Sequence, residues 1–250
     1  MPHRDLGLSY RLAVAVVRPL LVLLTRRRWC GAQHLPARGG FIVCSNHLSH
    51  SDPMTLGHYL LDHGHPPYFL AKESLFTIPL VGRVIRGAGQ IPVHRETSDA
   101  AAALTSAVAA VQDGKCIVLY PEGTLTRDPD LWPMVGKSGA ARLALQTGCP
   151  LVPVAQWGPQ VLLSPSSKRL RLLPRPFIQV VAGPPVDLDD LRGRPVDAAL
   201  LAEATERIMS AITDLLRPMR GGTPPPQRFD FHDERAVLRR DPARRRGSRR

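Results

Sequence analysis

Lysine is scarce in this 250-residue chain, with four residues against 29 arginines, a skew of the kind that GC-rich coding produces. Aromatic residues are few as well, at 5 % of the composition, which leaves little for a base-stacking surface. The four cysteines, Cys30, Cys44, Cys116 and Cys149, form no C-x-x-C pair, so neither a dithiol nor a zinc spacing is present. Cys44 and Cys116 lie inside apolar runs, as buried free thiols do, and a reducing compartment is expected. No uninterrupted apolar run reaches about 18 residues, which excludes an ordinary polytopic membrane protein. G-x-x-x-x-G-K-[ST] and G-x-S-x-G are also missing. Gly136-Lys137-Ser138 has the look of the end of a phosphate-binding loop, but Leu131 stands where its first glycine is needed.

What is present begins with an apolar content of 44 %, enough for a sizeable core in one domain. The net charge of +12 is unevenly placed. Residues 1–28 hold six arginines and one acid, and residues 217–250 hold eleven arginines and four acids. The stretch between them has sixteen of each sign and is neutral. A neutral body with basic ends argues against a nucleic-acid groove across the fold and fits a domain held near an anionic surface.

From Leu8 to Thr25 the chain is apolar apart from Ser9, Tyr10, Arg11 and Arg18, with Pro19 inside, and it closes on Arg26-Arg27-Arg28-Trp29. Basic residues after the run, and no small-residue cleavage site, are wrong for a signal peptide. Arg18-Pro19 at the centre is wrong for a spanning helix. The segment reads as a bent amphipathic helix lying in a membrane interface, with Arg and Trp at headgroup depth. The alternative is a helix packed on the body.

Beyond it, short apolar strands alternate with helices. Strands are expected at 41–44, 68–71, 91–93, 116–120, 151–155 and 177–182. Helices are expected at 53–61 (capped by Asp52), 79–85, 98–112 (capped by Ser98), 137–147 and 196–216. This is an α/β pattern with a largely parallel sheet covered on both faces. The domains read as an interfacial helical segment 1–30, a catalytic body 31–216, and a disordered basic tail 217–250 that opens on Gly, Pro and Arg.

The chemistry gathers where strands end. The first strand runs into Ser45-Asn46-His47-Leu48-Ser49-His50-Ser51-Asp52. A turn can bring His47 and Asp52 together so that the carboxylate holds one ring nitrogen and frees the other to take a proton. That is a catalytic triad without its protein nucleophile, which leaves a substrate hydroxyl for the role. Two other readings stay open. Asp52 caps the helix and His47 is structural, or His47, His50 and Asp52 bind a metal, with His58, His63 and His65 near in sequence but without a recognised ligand spacing. A later strand ends in Tyr120-Pro121-Glu122-Gly123-Thr124, where Gly123 permits close approach to the backbone and Glu122 and Thr124 offer polar contacts. Arg95, at the exit of the strand between them, suits a phosphate.

In order and spacing these blocks resemble the lysophosphatidic acid acyltransferase family. N-H-x-S-x-x-D, G-x-I-x-x-x-R, P-E-G-T and a V-P-V strand all occur, together with Ala71-Lys72-Glu73-Ser74-Leu75 and Gly136-Lys137-Ser138-Gly139, over roughly residues 35–185. The resemblance implies acyl transfer from an acyl-CoA or acyl carrier protein thioester to the hydroxyl of 1-acyl-sn-glycerol-3-phosphate, at the cytoplasmic face of an anionic membrane. It implies His47 as general base, Asp52 as its orienting partner, and Arg95, Glu122, Gly123, Thr124 and Lys72 as substrate contacts. It implies no metal, no other cofactor and no nucleic acid. Many members have arginine directly after P-E-G-T. Here Leu125 stands there, which moves the expected phosphate contact to Arg127 and opens other acceptors: glycerol-3-phosphate, dihydroxyacetone phosphate or a lyso-glycolipid. A non-catalytic membrane-surface binder is the remaining alternative.

Overall fold

The computed structural model describes residues 6–93, 99–167 and 169–231. The chain opens with helix α1 (Leu8–Leu24), then strand β1 (Arg26–Cys30), β2 (Phe41–Ser45), α2 (Asp52–Asp62), β3 (Pro67–Lys72), α3 (Val81–Gly87) and β4 (Ile91–Val93). It continues through α4 (Asp99–Gln112), β5 (Cys116–Leu119), α5 (Gly139–Thr147), β6 (Leu151–Trp157), the short α6 (Pro159–Leu162), β7 (Phe177–Ala182) and α7 (Ala198–Arg220). Seven strands form one sheet in the order β1-β7-β6-β2-β5-β3-β4. Every pairing is parallel except β6 with β7.

Alternation along the strands divides the core between the two faces of the sheet. Ile42, Ile117 and Leu151 point to the face covered by α4, α5 and α7. Phe41, Val43, Val118 and Val152 point to the other, where α2 supplies Leu56 and Tyr59 and α1 supplies Leu21. The central strands are apolar at successive positions because both faces are covered. Each fully buried aliphatic side chain here is worth about 1.5–3 kcal/mol.

Several boundaries differ from the sequence reading, among them the following. Arg26–Cys30 is an edge strand paired with β7, not a continuation of an interfacial helix, so the sheet begins inside the segment 1–30. Its three arginines are exposed. The backbone pairs with β7 while the guanidinium groups stay in water, as suits a sheet edge. At the other end, α7 runs on to Arg220, and residues up to Phe231 pack against the body rather than forming a disordered tail from 217. Helix α3 starts at Val81, two residues later than expected, after Leu80 takes a left-handed backbone at φ 63°.

Helix α1 answers both readings of the N-terminus. Tyr10 and Leu21 are buried against the body, and the Tyr10 hydroxyl donates to the Pro67 carbonyl at 3.1 Å. Arg18 grips Asp62 of α2 at 2.8 and 3.0 Å. Leu8, Leu12, Val16, Leu20 and Leu23 form an apolar stripe on the outside. Among the described residues, no helix is long and apolar enough to cross a membrane.

Candidate active site

The loop from β2 to α2 is held in place before any substrate enters. Asn46 exchanges two hydrogen bonds with the Gln156 backbone of β6, at 3.0 and 2.9 Å, which extends the β2–β6 contact past the strand end. Ser49 Oγ donates to the Leu163 carbonyl at 2.7 Å and Ser51 Oγ to the Pro159 carbonyl at 3.1 Å, tying the loop to α6. Ser51, rather than Asp52, occupies the cap position of α2.

Asp52 is 0 % exposed, and its Oδ2 turns back onto the loop. It accepts from His47 Nδ1 at 2.8 Å, from Ser49 N at 2.9 Å, and from Leu48 N. Burial raises the pKa of its carboxyl, and the three donors work against that rise. A carboxylate on Nδ1 places the proton there and leaves Nε2 as the basic nitrogen of the neutral ring. The imidazole is 14 % exposed and lies flat on the Tyr120 ring, with centroids 4.1 Å apart and planes at 15°. Phe69 continues the stack behind Tyr120 at 6.4 Å. The ring is thus fixed in plane by the stack and in rotation by Asp52.

His47 looks into a groove of about 850 Å³, toward the upper end of the usual range for small-molecule sites. Its far wall is apolar and comes from α1, α2 and α3, with Val14, Val17, Met54, Leu61, Val84 and Ile85. Its mouth is polar, with Lys72, His50, Thr124 and Arg127. Lys72, Thr124 and Arg127 therefore share the groove with His47. Arg95, and the Ser98 cap, lie outside the described residues; the last described strand residue before them, Val93, pairs with Lys72.

Glu122 and Gly123 do not line this groove. Glu122 is 3 % exposed, and its two oxygens accept from His47 N at 3.0 Å and Met134 N at 3.1 Å. Burial pushes its carboxyl up to about 8. It braces the His47 loop through these bonds and does not line the groove. Gly123 sits at φ 69°, a backbone conformation that L side chains rarely adopt, so the turn itself calls for glycine, with the flexible end of Lys137 lying over it.

Sequence reading missed Tyr120 as a ring platform and Asp62 as a hub. Asp62 accepts from Trp29 Nε1 at 3.0 Å as well as from Arg18, and so joins β1, α1 and α2 beside the groove. No spacing pattern announces either role. Among the described residues, no three His, Cys, Asp or Glu side chains converge as metal ligands would.

The family model described as acyltransferase matches residues 26–157. The 1-acyl-sn-glycerol-3-phosphate acyltransferase of Borreliella burgdorferi is 34 % identical over 125 residues, which cover 50 % of this chain and 48 % of that protein. The 1-acyl-sn-glycerol-3-phosphate acyltransferase alpha of Mus musculus is 30 % identical over 73 % of this chain and 61 % of its own length. This chain therefore spans about half of the first relative and three-fifths of the second. The crystal structure of the 1-acyl-sn-glycerophosphate acyltransferase of Thermotoga maritima shares the fold, with a TM-score of 0.59 at 23 % identity over 82 % of this chain and 80 % of that one. Because the matched residues take in the His47 loop, the Glu122 turn and just over half of the sequence, the chain belongs to the acyltransferase family.

Proposed function

We propose that this protein transfers a fatty acyl group from an acyl thioester to the free hydroxyl of 1-acyl-sn-glycerol-3-phosphate, giving phosphatidic acid. The observation that carries the reading is the His47–Asp52 pair, with the imidazole lining a largely apolar groove that Lys72 and Arg127 also line. Nε2 takes the acceptor hydroxyl proton, and the alkoxide oxygen forms a bond to the thioester carbonyl carbon. As the tetrahedral intermediate collapses, the C–S bond breaks and the imidazolium returns its proton to the departing thiolate. Asp52 stabilises the imidazolium through Nδ1. Donor and acceptor alone balance the reaction, and none of these steps calls on a metal or other cofactor. Either acyl-CoA or acyl carrier protein supplies the thioester, and Arg127 and Lys72 meet the acceptor phosphate. The exposed stripe of α1, with Arg11 and Arg26 to Arg28, sets the enzyme on an anionic leaflet at the cytoplasmic face, as a peripheral or monotopic protein.

The test is mass spectrometry of products from the full-length protein in anionic vesicles. Palmitoyl- and oleoyl-CoA are offered with lysophosphatidate, glycerol-3-phosphate, dihydroxyacetone phosphate or a lyso-glycolipid. Phosphatidate from lysophosphatidate is expected, and His47→Ala should lower turnover about a hundredfold or more. Faster acylation of another acceptor reassigns the headgroup. Retention of more than half the activity in His47→Ala overturns the mechanism.

A further inference from the structure

The chain does not stop being part of the site where α7 ends. Gly221 and Gly222 both adopt left-handed backbone, at φ 77° and 79°, and turn the chain back on itself. Arg228 then reaches three side chains on one face of α7: Glu206 and Ser210 at 3.0 Å and Thr213 at 2.6 Å. It holds the Glu206 carboxyl below its ordinary range. One residue on, the Phe229 carbonyl accepts from Val135 N at 3.0 Å. The next amide back, Met134 N, is the one that Glu122 receives, and the other oxygen of Glu122 receives His47 N. At the end of the segment, the Phe231 ring lies 5.8 Å from the Arg127 guanidinium carbon. The end of α7 adds a second grip. Arg220 Nε donates to the Asp130 carbonyl at 2.6 Å, and its guanidinium carbon sits 4.4 Å from the Trp132 ring centroid. Trp132 O accepts from Thr126 Oγ1, whose own backbone N donates to the His47 carbonyl at 2.7 Å.

We infer that residues 223–231 form a strap that positions the catalytic histidine and the arginine at the groove mouth, with Arg228 and Phe231 as its positioning residues; this rests on the acyl-transfer reading above. Loop 126–135 touches His47 from both sides of its peptide, through Glu122 and through Thr126. The strap and Arg220 hold that loop from outside. None of residues 223–231 belongs to the hydrophobic core. Losing the strap therefore leaves the sheet and its helices intact while freeing the loop to shift by fractions of an ångström, and reactions of this kind respond steeply to such shifts.

The experiment uses full-length Arg228→Ala, Arg228→Lys, Phe231→Ala and a control, Arg207→Ala. Arg207, also on α7, pairs with Glu203 of that helix and with Asp190 in the turn before it, without touching the strap. Arg228→Ala should lower kcat about tenfold or more with donor KM within about twofold, and Arg228→Lys, which keeps one charge contact with Glu206, should recover part of it. Phe231→Ala should raise acceptor KM about three- to tenfold with kcat nearly unchanged. Arg207→Ala should leave both unchanged. Equal losses in Arg228→Ala and Arg207→Ala would mean general destabilisation and overturn the strap, as would full kcat in Arg228→Ala. Amide hydrogen exchange reads the strap without activity. In Arg228→Ala, His47 and Met134 N–H should exchange at least about tenfold faster. Unchanged exchange overturns the inference even if the protein transfers no acyl group, whereas faster exchange in a protein without acyl transfer overturns only the proposed function.

Discussion

Glu122 shows how one carboxyl can serve a site without reaching its substrate. Both of its oxygens accept backbone amides, and its side chain is buried. Burial lifts its pKa from 4.5 to about 8, so the folded state keeps a proton that the unfolded chain has already released. Between those values unfolding releases a proton. The stability contributed is therefore complete at low pH, falls as pH rises, and is gone once pH passes the folded value. His58 and His65, both lowered by burial, act with the opposite sign below their ordinary 6.5, and the buried thiols Cys44 and Cys116 act with the same sign only as pH nears their ordinary 9, so the range from about pH 7 to 8 isolates the glutamate. The unfolding free energy from urea titrations should drop across that range in the wild type by an amount on the order of a kcal/mol, and stay level in Glu122→Gln, which is less stable throughout because its amide group faces a backbone donor. A wild-type curve as flat as the variant's would mean that Glu122 is ionised in the folded protein. The histidine–aspartate pair was legible in the sequence because a five-residue spacing across a strand-to-helix turn permits only a local loop. The inward aim of Glu122 was not, since it depends on loop 126–135 folding back over the turn, which no local pattern encodes.

Among the elements, β1 was the hardest to read. Three successive arginines and a tryptophan carry no alternation, and the strand exists because β7 offers a free edge that it can pair with in parallel. Its consequence for experiments is direct: a truncation at residue 28 removes most of an edge strand along with α1, and so cuts into the sheet. Helix α1 is better tested by its surface. Its length and apolar character were plain in sequence, but the split between a stripe that lines the groove and a stripe that faces out was not, because apolar residues occupy both sides of the helix. Leu12 and Leu20 are 60 % and 50 % exposed, so replacing both by Asp should leave the thermal midpoint within about two degrees of wild type. Flotation with anionic vesicles should weaken at least about tenfold, given about 1.5–3 kcal/mol for each side chain withdrawn from the lipid interface. Undiminished flotation would place the membrane contact elsewhere.

Over the whole molecule, a largely parallel sheet with a two-sided core followed from runs of apolar residues between turn signals, so the fold class was legible in the sequence while the strand order and the antiparallel β6–β7 pair were not. The charge map needed revision. Of the arginines past residue 216, Arg217, Arg220 and Arg228 pair with Asp214, Asp130 and Glu206, so part of the C-terminal charge is internal structure rather than free attraction for lipid. The N-terminal arginines of β1, by contrast, lie exposed next to the helix whose outer stripe is apolar. That helix also lines the groove, so under the proposed function a lipid layer against its outer stripe and the reacting groups stand one helix apart. An acceptor in such a layer is met by lateral diffusion in two dimensions, and its areal density replaces its bulk molarity in the rate law. Diluting lysophosphatidate with inert phospholipid at constant total amount should slow turnover in proportion to its mole fraction. Adding more vesicles of the same composition, once all enzyme is bound, should change nothing. A rate that instead tracked total lysophosphatidate per volume would describe an enzyme working from solution, for which the outward stripe on α1 would have no kinetic role.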